Sequence, residues 1–511
     1  MELYIALAVF AFITLVCLLS SKISSYINMP CLLLFLGVGM LAGSEGIGGI
    51  AFDNAKLANY LGSVAMAFIL FSGGFDTNWK GVKTVLITGG ILSSLGVLLT
   101  ALFVGTFTWY FLGWANPEAK IPLSWCLLLG SIISSTDAAA VFSILRSRSV
   151  SLRGKLQPLL EFESGSNDPM AAFLTIFMVG VVTAEAASGE TMSLASYWII
   201  LPMFVLKMSL GIFLGWLFGI SAVWLFNKID FEHNGLYYVL GLVVAIFSYS
   251  ATELAQGNGF MAVYAAGMVM GNRRFIYHNG VGKFYDGMAW LMQVVLFTML
   301  GLLAFPKQVW EAKWIGLAVA LFLMLVARPL AVFIGMWRSR FSFNEQLLVS
   351  WVGLRGGAPI MLATFPLLGD VSHADLMFHI VFFIVLTSVL IQGMTIMPAA
   401  RMLKLDAPLR KTPRMPLSVE ETGNADAKSF EFTVPAGRSG RTLAQLKFPE
   451  GALVLLIRRN ENFVIPRGDT ELLEGDILTV FGNDKALEKC TIRLNEPDRT
   501  DEATEPTPVE S

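Results

Sequence analysis

Long apolar stretches follow one another along most of the chain, separated by short charged or turn-rich breaks. A membrane span needs roughly 20 mostly apolar residues. Scanning between the breaks gives thirteen stretches: 3–20, 30–44, 57–75, 84–112, 122–145, 157–182, 195–224, 236–254, 258–271, 285–304, 312–337, 345–367 and 378–400. Two of them, 30–44 and 258–271, are short for straight spans. The pattern predicts an all-α polytopic membrane fold with about thirteen transmembrane helices. After Leu403 it changes to that of a small α/β unit. That unit reads as strand Phe430–Val434, short helix Arg441–Leu446 and strand Ala452–Arg458. A turn at Asn460-Glu461-Asn462, strand Asp476–Phe481 and helix Asp484–Cys490 follow.

Loop charge orients the chain. With the N-terminus outside, the inward loops hold Lys22, Lys80, Lys83, Arg146, Arg148, Arg153, Lys155, Lys228, Arg273, Arg274, Lys283, Arg338 and Arg340. The outward loops hold four basic residues, Lys56, Lys120, Lys307 and Lys313. The positive-inside rule supports this topology at every inward loop. An odd number of crossings then puts the soluble tail in the cytoplasm.

Composition sharpens the split. Of 511 residues, 55% are apolar and 14% charged, against about 25% charged in a soluble domain. Residues 1–403 hold 40 of the 74 charged residues and 404–511 hold the other 34. A secreted globular enzyme, a nucleic-acid-binding protein and a disordered chain are excluded. The net charge of -2 says little about partners. Cys17, Cys31, Cys126 and Cys490 form no close pair and no metal-type spacing, so no disulfide framework is expected. Met1–Leu19 lacks a basic start and an A-x-A-like cleavage site, and reads as a first transmembrane helix rather than a removed signal peptide. The domain reading is 1–403 membrane domain, 404–429 linker, 430–495 small domain and 496–511 acidic, disordered tail.

Ionisable side chains inside a bilayer are costly and mark function. Seven deserve weighing: Asp137, Glu163, Asp168, Lys207, Glu253, Arg328 and Arg355, while Glu161 sits nearer the entry of its helix and Asp76 lies at a cytoplasmic end. The fifth span carries Ser131-Ile132-Ile133-Ser134-Ser135-Thr136-Asp137-Ala138. Serine and threonine compete for backbone hydrogen bonds and tolerate an interrupted helix. The segment therefore reads as a discontinuous helix whose freed carbonyls and carboxylate face a cation. Polar contact between helices is the other reading, but it needs no aspartate.

The sixth span carries Glu163-Ser164-Gly165-Ser166-Asn167-Asp168-Pro169. Ser164 and Asp168 are four apart and share a helical face; Glu163 points about 140° away from Asp168. Pro169 removes the amide that would bond the Gly165 carbonyl. Carboxylate, carboxamide, hydroxyl and free carbonyl are hard oxygen donors suited to alkali cations, and no thiol or imidazole is nearby. Arg328 needs a carboxylate in mid-membrane, and Glu163 is its natural partner. The run Gly353-Leu354-Arg355-Gly356-Gly357-Ala358-Pro359 makes the twelfth span a second broken helix. Arg355 there either balances facing helix ends or repels a second cation. Two interrupted helices seven crossings apart point to inverted halves and a secondary transporter with its site at the midplane. Lys207 reads as snorkelling or paired, and Glu253 as interfacial. His233, His278, His373 and His379 fall in loops or at span ends and form no ligand cluster.

Taken together, Ser134-Ser135-Thr136-Asp137, Glu163 through Asp168, Gly257-Asn258-Gly259-Phe260 leading into Gly271-Asn272-Arg273-Arg274, and Gly353-Leu354-Arg355-Gly356-Gly357 resemble the monovalent cation:proton antiporter superfamily. The nearest branch is the NhaP-type potassium/proton antiporters of bacterial inner membranes. The resemblance implies a thirteen-helix fold, a homodimer and a core domain moving against a dimerisation domain. It implies that Asp168, the aspartate of an Asn-Asp pair with Asn167, binds the ion, and that Glu163 and Arg328 form a structural bridge. The family's unwound fifth helix reads Thr-Asp-Pro; here Thr136-Asp137 is followed by Ala138. Electrogenic relatives carry two adjacent aspartates, so Asn167-Asp168 implies electroneutral exchange. The tail's Pro449-Glu450-Gly451-Ala452 and Ile465-Pro466-Arg467-Gly468-Asp469-Thr470 are similar to RCK C-terminal (TrkA-C) domains, which are regulatory and dimeric, and some of which bind nucleotides.

The expected activity is exchange of cytoplasmic K+ for external protons, with Na+ or Li+ as the alternative cation, since both accept the same donors. Asp168 carries proton or cation, and Asp137, Asn167, Thr136 and Ser164 complete the site. No resident cofactor is expected. An intramembrane aspartyl protease would show Gly-x-Gly-Asp, but Asp168 follows Ser166-Asn167. A gated channel would show a Thr-Val-Gly-Tyr-Gly filter, which the chain lacks.

Overall fold

The computed structural model describes residues 2–27, 30–115, 121–147, 150–189, 198–408, 427–459 and 462–495. They form two compact units, one holding the apolar helices and one a small sheet. Each of the thirteen apolar stretches contains a helix. Among the described residues, eight helices are long and apolar enough to cross a membrane: Ala55–Asp76, Leu86–Ala115, Leu156–Ser188, Ile200–Lys228, Gly235–Leu254, His278–Leu303, Lys313–Gly335 and Ala374–Met402. The other five stretches hold shorter apolar helices, Leu7–Ser20, Cys31–Ala42, Leu123–Ile132, Gly259–Gly271 and Gly357–Leu368.

The short helix Gly259–Gly271 lies against Ala55–Asp76 at a distance only glycine allows. A Cβ on Gly267 would sit 2.3 Å from the Phe71 carbonyl oxygen, and one on Gly74 would sit 2.3 Å from that of Tyr264. Small residues let helix backbones approach in this way inside a bilayer. The helix His278–Leu303 starts seven residues before the apolar pattern does. Its first turns are held by buried Val281 and by Tyr285, whose hydroxyl donates to the Gly241 carbonyl.

The fifth and twelfth stretches are each interrupted. The first broken helix consists of Leu123–Ile132 and Ala138–Ser147, with five non-helical residues, 133–137, between them. The second consists of Phe343–Trp351 and a stretch starting at Gly357, with 352–356 between them. Two π-helical turns, which the sequence did not announce, lie at Leu92–Gly96 in the fourth stretch and Leu323–Ala327 in the eleventh. Like the breaks, they are seven stretches apart. Such turns mark functional sites, and the second ends directly before Arg328.

A two-stranded antiparallel sheet joins β1 (Val150–Leu152) to β2 (Asp406–Pro408), with Ser151 opposite Ala407. Its second strand lies in the stretch read as the start of a linker. Arg153 extends the pairing by donating its backbone amide to Leu405 O at 3.0 Å and its Nε to Asp406 O at 2.9 Å.

The small unit has β3 (Ala427–Thr433), β4 (Ala452–Arg459), β5 (Asn462–Val464) and β6 (Ile477–Asn483) in the order β3-β6-β4-β5, with every pair antiparallel. Alternate residues Leu478 and Val480 pack with Phe432, Ile457 and Leu472 into its core, covered by Leu487 and Cys490 of the helix Asp484–Asn495. The short helix Leu443–Leu446 is opened by a capping box between Thr442 and Gln445. The three predicted strands and two helices are present, and β5 is an addition to them. Asn460 and Glu461, residues 409–426 and the acidic tail 496–511 lie outside the described residues.

Candidate ion site where two broken helices meet

The first break is made by its own hydroxyls. Ser131 Oγ donates to Leu127 O at 2.7 Å and Ser134 Oγ to Ser131 O at 2.6 Å, competing for backbone acceptors at the end of the half-helix. Residues 135–137 then carry no regular structure. The second half-helix is capped by Asp137 itself, whose Oδ1 accepts from Ala140 N at 3.0 Å. Thr136-Asp137-Ala138 therefore unwinds without a proline.

The two breaks touch. Asp137 N donates to Leu354 O at 2.8 Å. Arg355 Nη1 donates to Ser135 O at 2.5 Å and to Ser134 O at 3.1 Å. The guanidinium thus sits on the carbonyl end of the half-helix Leu123–Ile132, where a positive charge offsets the helix dipole. Gly356 makes the contact possible, since a Cβ there would lie 2.0 Å from Asp137 Oδ2.

The C-terminal end of Phe343–Trp351 is tied to the helix Ala374–Met402. Gln392 Nε2 donates to Trp351 O at 2.9 Å and its Oε1 accepts from Ser388 Oγ at 2.6 Å. Ser388 Oγ in turn accepts from Arg355 N at 3.2 Å. Ser388 and Gln392 were not singled out from the sequence, although a polar pair four apart in an apolar helix is a readable signal.

The long helix Leu156–Ser188 closes the site from the other side. Ser164 Oγ donates to Thr136 O at 2.8 Å and accepts from Ala138 N at 3.0 Å. Asn167 Nδ2 donates to Thr136 Oγ1 at 2.5 Å. Asn258 adds a tie, donating from Nδ2 to Pro169 O at 2.9 Å. Asp168 Oδ1 is buried and makes no hydrogen bond of ordinary geometry. The Ser135 hydroxyl, the Asp137 carboxylate and the Arg355 guanidinium are the polar groups around it. Ser135 Oγ and Asn167 Oδ1 are likewise buried without a partner. Three buried oxygens left open, one of them on Asp168, stand with the Asp137 carboxylate as hard donors of the kind that suit an alkali cation.

Glu163 points away from this set. Its Oε1 lies 2.6 Å from Arg328 Nη2, with both side chains at most 4% exposed. Arg328 passes Gly353 so closely that a Cβ there would lie 2.8 Å from Nε. Of the weaker sequence candidates, Glu253 is exposed and accepts from Gly259 N at 2.8 Å, and Lys207 is half-buried. His379 sits within the helix Ala374–Met402 and is buried, sharing a 2.6 Å hydrogen bond between its Nδ1 and Asp375 O. Among the described residues, no group of three or more His, Cys, Asp or Glu could hold a resident metal ion.

Interrupted helices crossing at a carboxylate pair define a secondary transporter, with the ion itself as substrate. Comparison with known proteins agrees. A family model for the transmembrane sodium/hydrogen exchangers matches residues 9–402, and the TrkA-C domain model matches residues 430–491. The chain is 36% identical over 500 residues to the K(+)/H(+) antiporter NhaP2 of Shewanella sp. (strain MR-4), covering 96% of this chain and 83% of that one. It is 39% identical over 458 residues to the K(+)/H(+) antiporter NhaP of Alkalimonas amylolytica, covering 89% and 77%. The fold matches the solved structure of the sodium proton antiporter MjNhaP1 from Methanocaldococcus jannaschii with a TM-score of 0.66 at 24% identity, over 79% of this chain and all of that one. The chain belongs to the sodium/hydrogen exchanger family: it is a multi-pass membrane antiporter of cations and protons, and not an enzyme.

Proposed function

We propose that the protein exchanges cytoplasmic K+ for external protons, electroneutrally and by alternating access. The observation that carries this reading is the set of open buried oxygens, Asp168 Oδ1, Asn167 Oδ1 and Ser135 Oγ, beside Asp137 where the two breaks meet. The names of the relatives from Shewanella and Alkalimonas support K+ as the cation. Desolvation favours a protonated carboxyl, and a bound cation favours the carboxylate. Proton and cation therefore compete for Asp168. An empty, charged carboxylate does not cross the barrier, so only loaded states move, and exchange needs no nucleotide hydrolysis. Asp137, Thr136, Asn167 and Ser164 shape the site, Glu163 and Arg328 brace it, and Arg355 neutralises the half-helix end.

The protein works as a homodimer in a bacterial inner membrane, crossing thirteen times with its N-terminus outside. The TrkA-C-like domain, on the cytoplasmic side, regulates it. In everted vesicles, added K+ is expected to drive proton movement through the wild type and none through Asp168→Asn. Full activity in that variant overturns the assignment, as does downhill cation flux without proton movement. The same assay with Na+ in place of K+ reads the selectivity.

A further inference from the structure

Behind the site helix lies a cavity of about 590 Å³ that the transport reading does not use. It is lined by Leu86–Ala115, Leu156–Ser188, Ile200–Lys228 and Gly259–Gly271. Ser166 reaches it from the site helix, two residues before Asp168 and thus about 200° round the helix from it. The cavity is therefore distinct from the cation site.

Its chemistry is that of a site for an amphiphile. Met170, Met208, Met261 and Met268 give it a soft, adaptable apolar wall. Leu86, Ile212 and Trp216 form its outer rim and are 38%, 50% and 48% exposed, so the space opens sideways onto the surface that lipid covers. Trp79, Asn272 and Arg273 stand at the charged end. Trp79 is exposed, as befits an anchor at headgroup level. Asn272 is already spent, donating to Thr77 O and Met268 O and accepting from Trp79 N. Arg273 is exposed and lines the mouth; the exposed Arg274 follows it, and the exposed Lys80 lies in the inward-assigned loop that Trp79 N joins to Asn272 Oδ1. The lining positions span Phe162 to Met170 on one helix and Phe204 to Trp216 on another, about 12 to 18 Å at 1.5 Å per residue. One leaflet of hydrocarbon is about 15 Å deep, half of a ~30 Å core. The buried Tyr264 hydroxyl, which lines the same space, makes no hydrogen bond of ordinary geometry. It has the Ser166 and Thr77 hydroxyls as polar neighbours.

We infer that this cavity binds one acyl chain of an anionic phospholipid, with the phosphate on Arg273. The chain length fits one leaflet, the mouth carries the complementary charge, and the rim faces the bilayer. A lipid held here lies beside the contact that the site helix makes with Gly259–Gly271, where Asn258 bonds Pro169 O, so it bears on any movement between them.

Gly90 supplies the test. It lines the cavity, and a Cβ built on it meets nothing within 4 Å, so the side chain of Gly90→Leu starts in open space and is expected to fill part of the cavity. The full chain is reconstituted in vesicles of equal parts phosphatidylglycerol and phosphatidylethanolamine, re-extracted, and its retained lipids are counted by native mass spectrometry. Wild type is expected to retain phosphatidylglycerol in preference to phosphatidylethanolamine. Gly90→Leu is expected to lose retention of both several-fold. Arg273→Gln is expected to lose the preference for phosphatidylglycerol while keeping a lipid. Equal retention by wild type and Gly90→Leu overturns the inference, and so does a wild type with no retained lipid or no preference. The readout is independent of transport, so its failure leaves the antiporter reading standing, and failure of the Asp168→Asn test leaves the lipid site standing.

Discussion

At the scale of single residues, the site depends on the absence of a side chain as much as on its carboxylates. Gly356 lets Asp137 reach the second break, and Gly353 lets Arg328 reach Glu163. A Cβ at Gly356 would overlap the Asp137 carboxylate at 2.0 Å, and overpacking of this kind costs about 1–3 kcal/mol. Gly356→Ala is therefore expected to insert and fold while its apparent cation affinity falls roughly tenfold or more. Gly73→Ala, where a Cβ meets nothing within 4 Å, should behave as wild type in the same flux assay. The carboxylates themselves were legible in the sequence, because a charge inside an apolar run stands out. Their neighbours Ser388 and Gln392 were less so, because a serine or glutamine in a helix has many ordinary uses. What they hold here is decided by a contact 33 to 41 residues away.

Secondary-structure elements show the same division. Both helix breaks could be read from local chemistry, Ser/Thr competition in one and a glycine cluster in the other. The two π turns could not, because one extra residue in a turn leaves no compositional trace. The β1–β2 pairing was also invisible, since strands of three residues have too little pattern to read. This pairing fastens the segment after Ala374–Met402 to the connection between the first broken helix and the site helix. Arg153 contributes two of its hydrogen bonds, each worth about 1 kcal/mol net. Arg153→Pro removes both and should abolish hydrogen-exchange protection of the amides of 150–152, 406 and 407. Unchanged protection would show that the remaining ladder suffices.

At the scale of the whole molecule, two units obey different solvents. In the helical unit a few buried charges sit in an apolar body, and in the small one alternating strands close on a core of nine buried residues. The small unit has its own polar anchor. Asp476, 1% exposed, receives Arg459 through Nε at 3.1 Å and Nη2 at 2.9 Å, and Leu473 N at 2.9 Å. Hydrogen bonding to Asp476 holds the Arg459 guanidinium above its ordinary range. A group raised in the folded state contributes stability that is lost only as pH rises past its unfolded value, so the Arg459 charge is constant through neutral pH. Asp476→Ala should destabilise this unit by about 1–3 kcal/mol, read as faster hydrogen exchange in β6 with the helical unit unchanged. The sequence by itself determined the bilayer as solvent, the placing of the helices, both breaks and the buried carboxylates. Each of these follows from polarity and turn chemistry that a residue carries wherever it packs. Only the tertiary structure decided that Arg355 sits on the Ser134 and Ser135 carbonyls, that three oxygens stay open beside Asp137, and that β1 meets β2. Those outcomes depend on which distant segments come to lie within 3 Å of one another, and nothing local encodes that.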